Sequence, residues 1–294
     1  LYDQRDQSRL TTKSWKADWI FRRDRLAIID QELRNIKPDI FLAQQVMSKR
    51  GSPSESDRNI LLAGALSDYD WRETDVRSFA DTDEIQSMAI AVNTPTKIRE
   101  PTPGLKVPLQ QNWTMGDDGY LTVTMLDFEG QPVDVYNVEM PSDVGRKHVW
   151  YTFIQDRIRE RVRASQVCME RVIVAGFLPG DQDSRRFNTF LDRLSLKDSS
   201  QGFCQIASDC YTATPINELF LVTEGEETPS RTDRILVHQS ALIFSSGVNV
   251  QQTITTSRYR EAYGINRIWP SQRFGWNVSV RLPRCSQSSS PVSP

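Results

Sequence analysis

The stretch that most constrains this chain is KPDIFLAQQV, Lys37 to Val46. Pro38 stops a helix arriving from upstream, because it lacks an N–H and restricts the residue before it. Ile40, Phe41, Leu42 and Ala43 then form a short unbroken apolar run, which fits a strand buried on both faces. A strand of that kind belongs inside an α/β architecture, where polar side chains at the strand end carry chemistry. Gln44 and Gln45 stand at that end, and Gln45 is an amide, not a carboxylate.

Elements of both periods surround this strand. Leu26, Ile29, Leu33 and Ile36 recur at helical spacing, which predicts an amphipathic helix over 16–36. Gly51, Ser52 and Pro53 form a loop, and Ser54 with Asp57 resembles a helix cap ahead of Ile60, Leu61, Ala63 and Leu66. Short strands are expected at Ser87–Val92, at Tyr120–Phe128 after the Asp117-Asp118-Gly119 turn, and at Val133–Met140, with 95–108 as irregular loop. The tight Gly130-Gln131 turn makes the latter two antiparallel neighbours. Trp150, Ile154, Ile158 and Val162 predict a helix over 146–165, with Arg157, Arg159, Arg161 and Arg163 on a solvated face interleaved with Asp156 and Glu160. Strands at Arg171–Ala175, Arg234–His238 and Trp276–Leu282, a helix at Ser184–Leu194 and a long loop over 198–229 complete the pattern. Residues 286–294 form a low-complexity tail. With no clear linker, residues 1–285 read as one α/β domain of stacked sheets flanked by helices.

Composition narrows the function. A net charge of −2 and a pI near 5.9 supply no overall electrostatic footprint for nucleic acid or anionic membrane. No apolar run approaches the length of a transmembrane helix, and Leu1 begins no signal-peptide pattern. The four cysteines, at 168, 204, 210 and 285, lack zinc-type spacing. Cys204 and Cys210 bracket a short loop that suits a small disulfide in an oxidising compartment, with two unpaired thiols as the alternative. Cys168 reads as a buried thiol.

The order of motifs from Trp19 to Leu282 resembles the endonuclease/exonuclease/phosphatase family, which includes DNase I and the neutral sphingomyelinases. The resemblance implies a four-layer α/β/β/α sandwich of two packed, mostly antiparallel sheets, with strand ends gathered around a divalent metal, Mg in the family, and one phosphodiester. That chemistry needs oxygen ligands for a hard cation and a His to handle the proton of the attacking water. PDIFLAQQV is similar to the family's PDIxxLQEV, with Gln45 at the metal-binding Glu. VYNVEMP is similar to the strand ending in Asn-Thr-His, with Glu139 at the His. VIVAGFLPGDQDS is similar to the GDFN segment, with Phe177 and Pro179 at its Asp and Asn. WPSQRFGW is similar to the final Ser-Asp-His motif, with Gln272 and Arg273 at its general-base pair, and arginine cannot accept a proton from water. Asp233 in RTDRILVH is a retained position. The family's first strand should precede Leu1, and its loss would call for a substitute strand to pair the backbone groups it leaves.

These replacements imply a pseudoenzyme with no bound cofactor, a binding or structural module with a protein partner and no catalytic residues. Only His148 and His238 occur in the chain, neither in a motif that needs one. An alternative is a metal-dependent phosphodiesterase, nuclease or phospholipase C-like, with a displaced site built from Glu139, Asp181, Asp183 or Asp233. Another is non-hydrolytic binding of a nucleic-acid or phospholipid phosphate through Arg273, with Trp269, Phe274 and Trp276 nearby. Glu139 and Arg273 could pair across the cleft or remain separately solvated. The Cys204 and Cys210 spacing and the resemblance to secreted family members favour a secreted or cell-envelope setting.

Overall fold

The helix that leads into the Pro38 strand ends as its sequence dictates. Lys37 turns left-handed, φ 47°, and its N–H still donates to Leu33 O at 2.8 Å before Pro38 ends the turn. The structure is a computed structural model that describes residues 15–52, 56–79, 83–93, 98–99, 119–140, 144–164, 167–179, 184–204, 211–212, 231–249, 254–255, 267–268 and 275–285. In order, the elements are α1 (Trp15–Ile36), β1 (Ile40–Lys49), α2 (Asp57–Leu62), β2 (Tyr69–Phe79), β3 (Glu84–Asn93), β4 (Ile98–Arg99), β5 (Gly119–Leu126) and β6 (Pro132–Glu139). Then follow α3 (Val144–Ala164), β7 (Val172–Phe177), α4 (Ser184–Leu194), β8 (Leu196–Asp198), β9 (Asp233–His238), β10 (Leu242–Asn249), β11 (Ile254–Thr255), β12 (Arg267–Ile268) and β13 (Gly275–Arg281).

Three apolar clusters separate four layers, the expected α/β/β/α sandwich. Leu26 and Leu33 of α1 and Leu61 of α2 pack on Ala43, Val46, Ala89 and Ala91, the outer face of a sheet ordered β1-β3-β2. The opposite face of that sheet, Met88, Ile90 and Val92, packs on Leu121, Val123, Val135, Ile173 and Val237 of a six-stranded sheet ordered β4-β5-β6-β7-β9-β8. Trp150, Ile154 and Ile158 of α3 and Phe187 and Phe190 of α4 cover the far side through Tyr136, Val138, Val174 and Leu236. Burying β1, β6 and β7 on both faces explains why each reads as an apolar run. The described ladders are antiparallel except β6–β7, which run parallel because α3 carries the chain back over the sheet. β10 and β13 form a separate two-stranded ladder that adds Ile243, Val280 and Leu282 to the inter-sheet cluster.

Several features depart from the sequence reading. β4 at Ile98–Arg99 falls within 95–108, expected as irregular loop, and takes its strand form by pairing with β5. β2 and β10 were not expected as strands. β2 carries charge at Asp70, Arg72, Glu73, Asp75 and Arg77, as an edge strand tolerates, and pairs only with β3 among the described residues. β10 interrupts its apolar run with Ser245, Ser246 and Gly247, and its register shifts between Ile243 and Ser245. The arginine face of α3 is not wholly solvated. Arg161 is buried, its Nε donating to Asp134 at 3.0 Å, where burial raises the Asp134 carboxyl despite the guanidinium and the Thr124 hydroxyl beside it.

Cys168 is not a free buried thiol: it is bonded to Cys285, with Cα atoms 5.7 Å apart and a sequence separation of 117. Spacing could not reveal this pair, because packing carries the segment after β13 back beside β7. Arg171, itself buried, closes the same junction by donating to Pro132 O and Pro283 O and pairing with Asp127. Cys204 is also disulfide-bonded, and Cys210 lies outside the described residues. Because a cross-link over so long a loop restricts the unfolded chain, Cys285→Ser is expected to lower stability by about 3 kcal/mol. Urea denaturation with and without reductant checks it. The wild type should lose stability on reduction and the variant should not respond at this bond.

Candidate functional site

Three strand ends of the six-stranded sheet meet in one row. Glu139 at the end of β6 is in register with Phe177 at the end of β7, and Phe177 with Asp233 at the start of β9. Gly119, which opens β5, extends the row on the other side of Glu139. Neighbouring strands lie about 4.8 Å apart, so the Glu139 and Asp233 main chains stand about 10 Å apart with Phe177 between them.

The opposite sheet reaches this row through β1, whose register shifts between Ala43 and Val46, the stretch that holds both glutamines. The Gln44 side chain crosses the layer and donates to Val138 O and to Asn137 Oδ1, the latter at 3.3 Å. Asn137, fully buried, answers by donating to Ala43 O at 2.8 Å and Ala89 O at 2.9 Å. The two sheets are thus bolted together by side-chain amides just beneath the strand ends. Gly176 completes the bolt: its φ is +129°, and a Cβ there would collide with Val138 O and Gln44 Nε2. Only glycine suits both constraints.

Each carboxylate of the row has a different environment. Glu139 is 9 % exposed, and Asp233 is half-buried. The Asp233 N–H donates to Thr212 Oγ1 at 3.1 Å and its Oδ2 accepts from Thr232 Oγ1 at 3.0 Å. Phe177 packs against the outer cluster under α3 and α4, since Gly176 breaks the strand alternation just before it. Pro179, half-buried, follows Leu178, whose N–H donates to Thr232 O at 2.7 Å.

Beside the row, Asp198 binds two arginines. Arg234 Nη1 donates to Asp198 Oδ2 at 2.7 Å, Arg231 holds the other oxygen, and the Arg234 guanidinium lies 4.8 Å over the Phe187 ring. Burial opposes ionisation of Asp198, but Arg231, Arg234 and the Ser200 N–H outweigh it and hold the carboxyl below its usual range. A depressed folded-state value makes this stabilisation complete above the unfolded value, about pH 4, and lost as pH falls through the folded one. Asp198→Asn is therefore expected to flatten the acid limb of a stability–pH curve, read from urea midpoints. An unchanged limb would exclude Asp198 as its source.

The sequence-derived site residues thus divide into two groups. Glu139, Phe177 and Asp233 come together in register, with Pro179 adjacent. The Gln45 side chain, Gln272, Arg273, Asp181, Asp183, Trp269, Phe274 and the side chains of His148 and Trp276 lie outside the described residues, so a Glu139–Arg273 pair cannot be placed. His238 is a strand-end residue whose Nδ1 sits 2.6 Å from Ser240 Oγ. Gln44, Asn137 and Gly176 were not singled out as site residues. The available signal was a lone amide within the apolar run VYNV and a glycine within VIVAGF.

Two packed sheets covered by helices, with strand ends gathered at one side, match the endonuclease/exonuclease/phosphatase fold. The chain is similar in structure to the mannosyl-6-phosphatase Bt3783 of Bacteroides thetaiotaomicron, with a TM-score of 0.62, 18 % identity and coverage of 89 % of this chain and 92 % of that one. TDP2 of Caenorhabditis elegans gives a TM-score of 0.56 at 15 % identity, covering 87 % of this chain and 68 % of its own. An endonuclease/exonuclease/phosphatase family protein from Leptotrichia buccalis gives 0.56 at 12 %, covering 89 % and 94 %. No protein-family profile matches the sequence, and no curated protein matches it.

Proposed function

We propose that this chain uses the endonuclease/exonuclease/phosphatase fold as a non-hydrolytic binding module. The observation that carries the reading is the row Glu139–Phe177–Asp233, in which an apolar ring separates the two carboxylates and draws back into the outer core. A hard cation such as Mg²⁺ demands several oxygen donors in close, near-octahedral array. Among the described residues no three His, Cys, Asp or Glu side chains converge into such an array. Glutamine at 45, glutamate at 139, proline at 179, and Gln272 with Arg273 at the positions matched by resemblance support the same reading.

The ligand remains a matter of chemistry on this surface: a protein partner, or a phosphate of nucleic acid or phospholipid headgroup held without cleavage. The Cys168–Cys285 bond and the bonded Cys204 support a secreted or cell-envelope setting, where disulfides persist. No helix among the described residues is long and apolar enough to cross a membrane.

The test is hydrolysis of DNA, RNA, sphingomyelin and mannose 6-phosphate by pure protein with Mg²⁺, Mn²⁺ or Ca²⁺. Turnover is expected to match the blank, with Asp233→Ala leaving it unchanged. Metal-dependent turnover abolished by Asp233→Ala would overturn the proposal and favour a displaced site using Glu139, Asp181, Asp183 or Asp233. Phosphate binding without turnover, lost in Arg273→Ala, would identify the ligand class.

A further inference from the structure

Strand β3 carries a polar side chain into the layer between the sheets. Side chains alternate along a strand, and Met88, Ile90 and Val92 fill the inter-sheet cluster while Ala89 and Ala91 face the helices. The register shifts on either side fall in β1 and β2, so β3 keeps its alternation and Gln86 faces the six-stranded sheet in phase with Met88. Gln86 is 1 % exposed, and neither its Oε1 nor its Nε2 has a hydrogen-bond partner among the described residues. Ser87, on the opposite face, is satisfied by donating to Asp75 Oδ1 at 3.1 Å. A buried amide with neither atom paired is rare and calls for a physical cause.

Its position is the strand-end row. Asn137 donates to Ala89 O, and Met88 Sδ stands 3.6 Å from where a Cβ of Gly119 would be, with Gly119 in register with Glu139. Going from Ala89 to Gln86 along β3 therefore follows β6 outward from Asn137 to Glu139. Gln86 lies two residues past Met88, about 7 Å, where the β5–β6 ladder has ended at the Gly119–Glu139 pair. Glu139 shares the phase of Val135 and Asn137, and Asp233 that of Ile235 and Val237, so both carboxylates face the same layer from the other sheet.

These groups restrict what can bind between them. Gln86 Oε1 and the two carboxylates accept hydrogen bonds, and Gln86 Nε2 donates, so a ligand must be rich in donors yet carry an acceptor beside one of them. An ammonium or guanidinium has no acceptor and would leave Nε2 unmatched. A phosphate would meet the like charge of Glu139 and Asp233. A nucleobase edge suits the amide but calls for a ring to stack on, and Phe177 is turned into the outer cluster. Adjacent hydroxyls of a sugar ring each donate and accept, which matches the amide, and their neighbours can donate to a carboxylate.

We propose that Gln86 anchors a neutral sugar at the strand-end mouth: two adjacent hydroxyls of a pyranoside engage its Oε1 and Nε2, and a further hydroxyl donates to Glu139. This role rests on the row being a binding surface without turnover. Hydrolysis of a phosphate ester would count against that reading alone, whereas the sugar site stands or falls on binding at Gln86.

The test titrates the full chain with the methyl α-pyranosides of mannose, glucose and galactose, with their fully O-methylated copies, adenosine and inorganic phosphate as controls. The Gln86 side-chain amide signal in the NMR spectrum, assigned by its loss in Gln86→Met, should shift saturably with at least one free glycoside and about tenfold more weakly, or not at all, with its O-methylated copy. Gln86→Met should lose that affinity about tenfold or more by calorimetry, while its urea midpoint stays at or above the wild-type value because the amide has no partner within the fold to lose. A lower midpoint, or failure of the variant to fold, would show the amide satisfied within the protein and overturn the proposal. In the wild type, no saturable shift with any glycoside, an equal shift with the O-methylated copy, or a response to adenosine or phosphate alone would each overturn it as well.

Discussion

Gly176→Ala is expected to cost about 4 kcal/mol or more, an effect reserved for a few mechanisms of which this site combines two. The backbone at φ +129° strains any L side chain, and the added Cβ meets Val138 O and Gln44 Nε2. Val138 O belongs to the β6 ladder and cannot retreat without opening the six-stranded sheet. Gln44 can move, but only by giving up its hydrogen bond to the same oxygen and to Asn137. Equilibrium urea denaturation of the alanine variant checks this, and a loss below about 1 kcal/mol would show that the bolt is softer than its geometry indicates.

Asn137→Leu is the second large effect, expected at about 4 kcal/mol. Leucine keeps the branched shape but is bulkier, so the loss combines lost polar pairing with some overpacking. Ala43 O and Ala89 O would each lose a buried donor, at about 1–3 kcal/mol apiece, and the Gln44 amide would lose an acceptor. Since both substitutions act through Gln44, the double variant should be less destabilised than the sum of the singles. Additive losses would mean that the two positions support the sheets independently. Either way the row Glu139–Phe177–Asp233 rests on this bolt, and loosening it should shift any ligand the strand ends hold.

Local pattern carried much of this fold. Helices α1, α3 and α4 announce themselves by apolar spacing at 3.6 residues, and β1, β5, β6, β7 and β9 by short apolar or alternating runs between turn residues. The Asp127–Gln131 turn follows from Asp and Gly chemistry, with Asp127 Oδ1 accepting from Glu129 and Gln131 N–H groups and Gly130 at φ +75°. β2 and β10 were illegible for the same reason in reverse. Each takes its strand form from a partner ladder, against a charged or serine-rich sequence of its own.

The sequence alone determined the alternation of helices and buried strands and the polar ends of β1 and β6, because these depend on residue type and local period. Only the tertiary structure decided which ends meet. It set Glu139, Phe177 and Asp233 in one register, joined Cys168 to Cys285, buried Arg161 against Asp134, and made Asn137 and Gln44 a bolt between sheets. Each is a contact between residues far apart in the chain, and such contacts are fixed by how layers pack, which no local window of sequence contains.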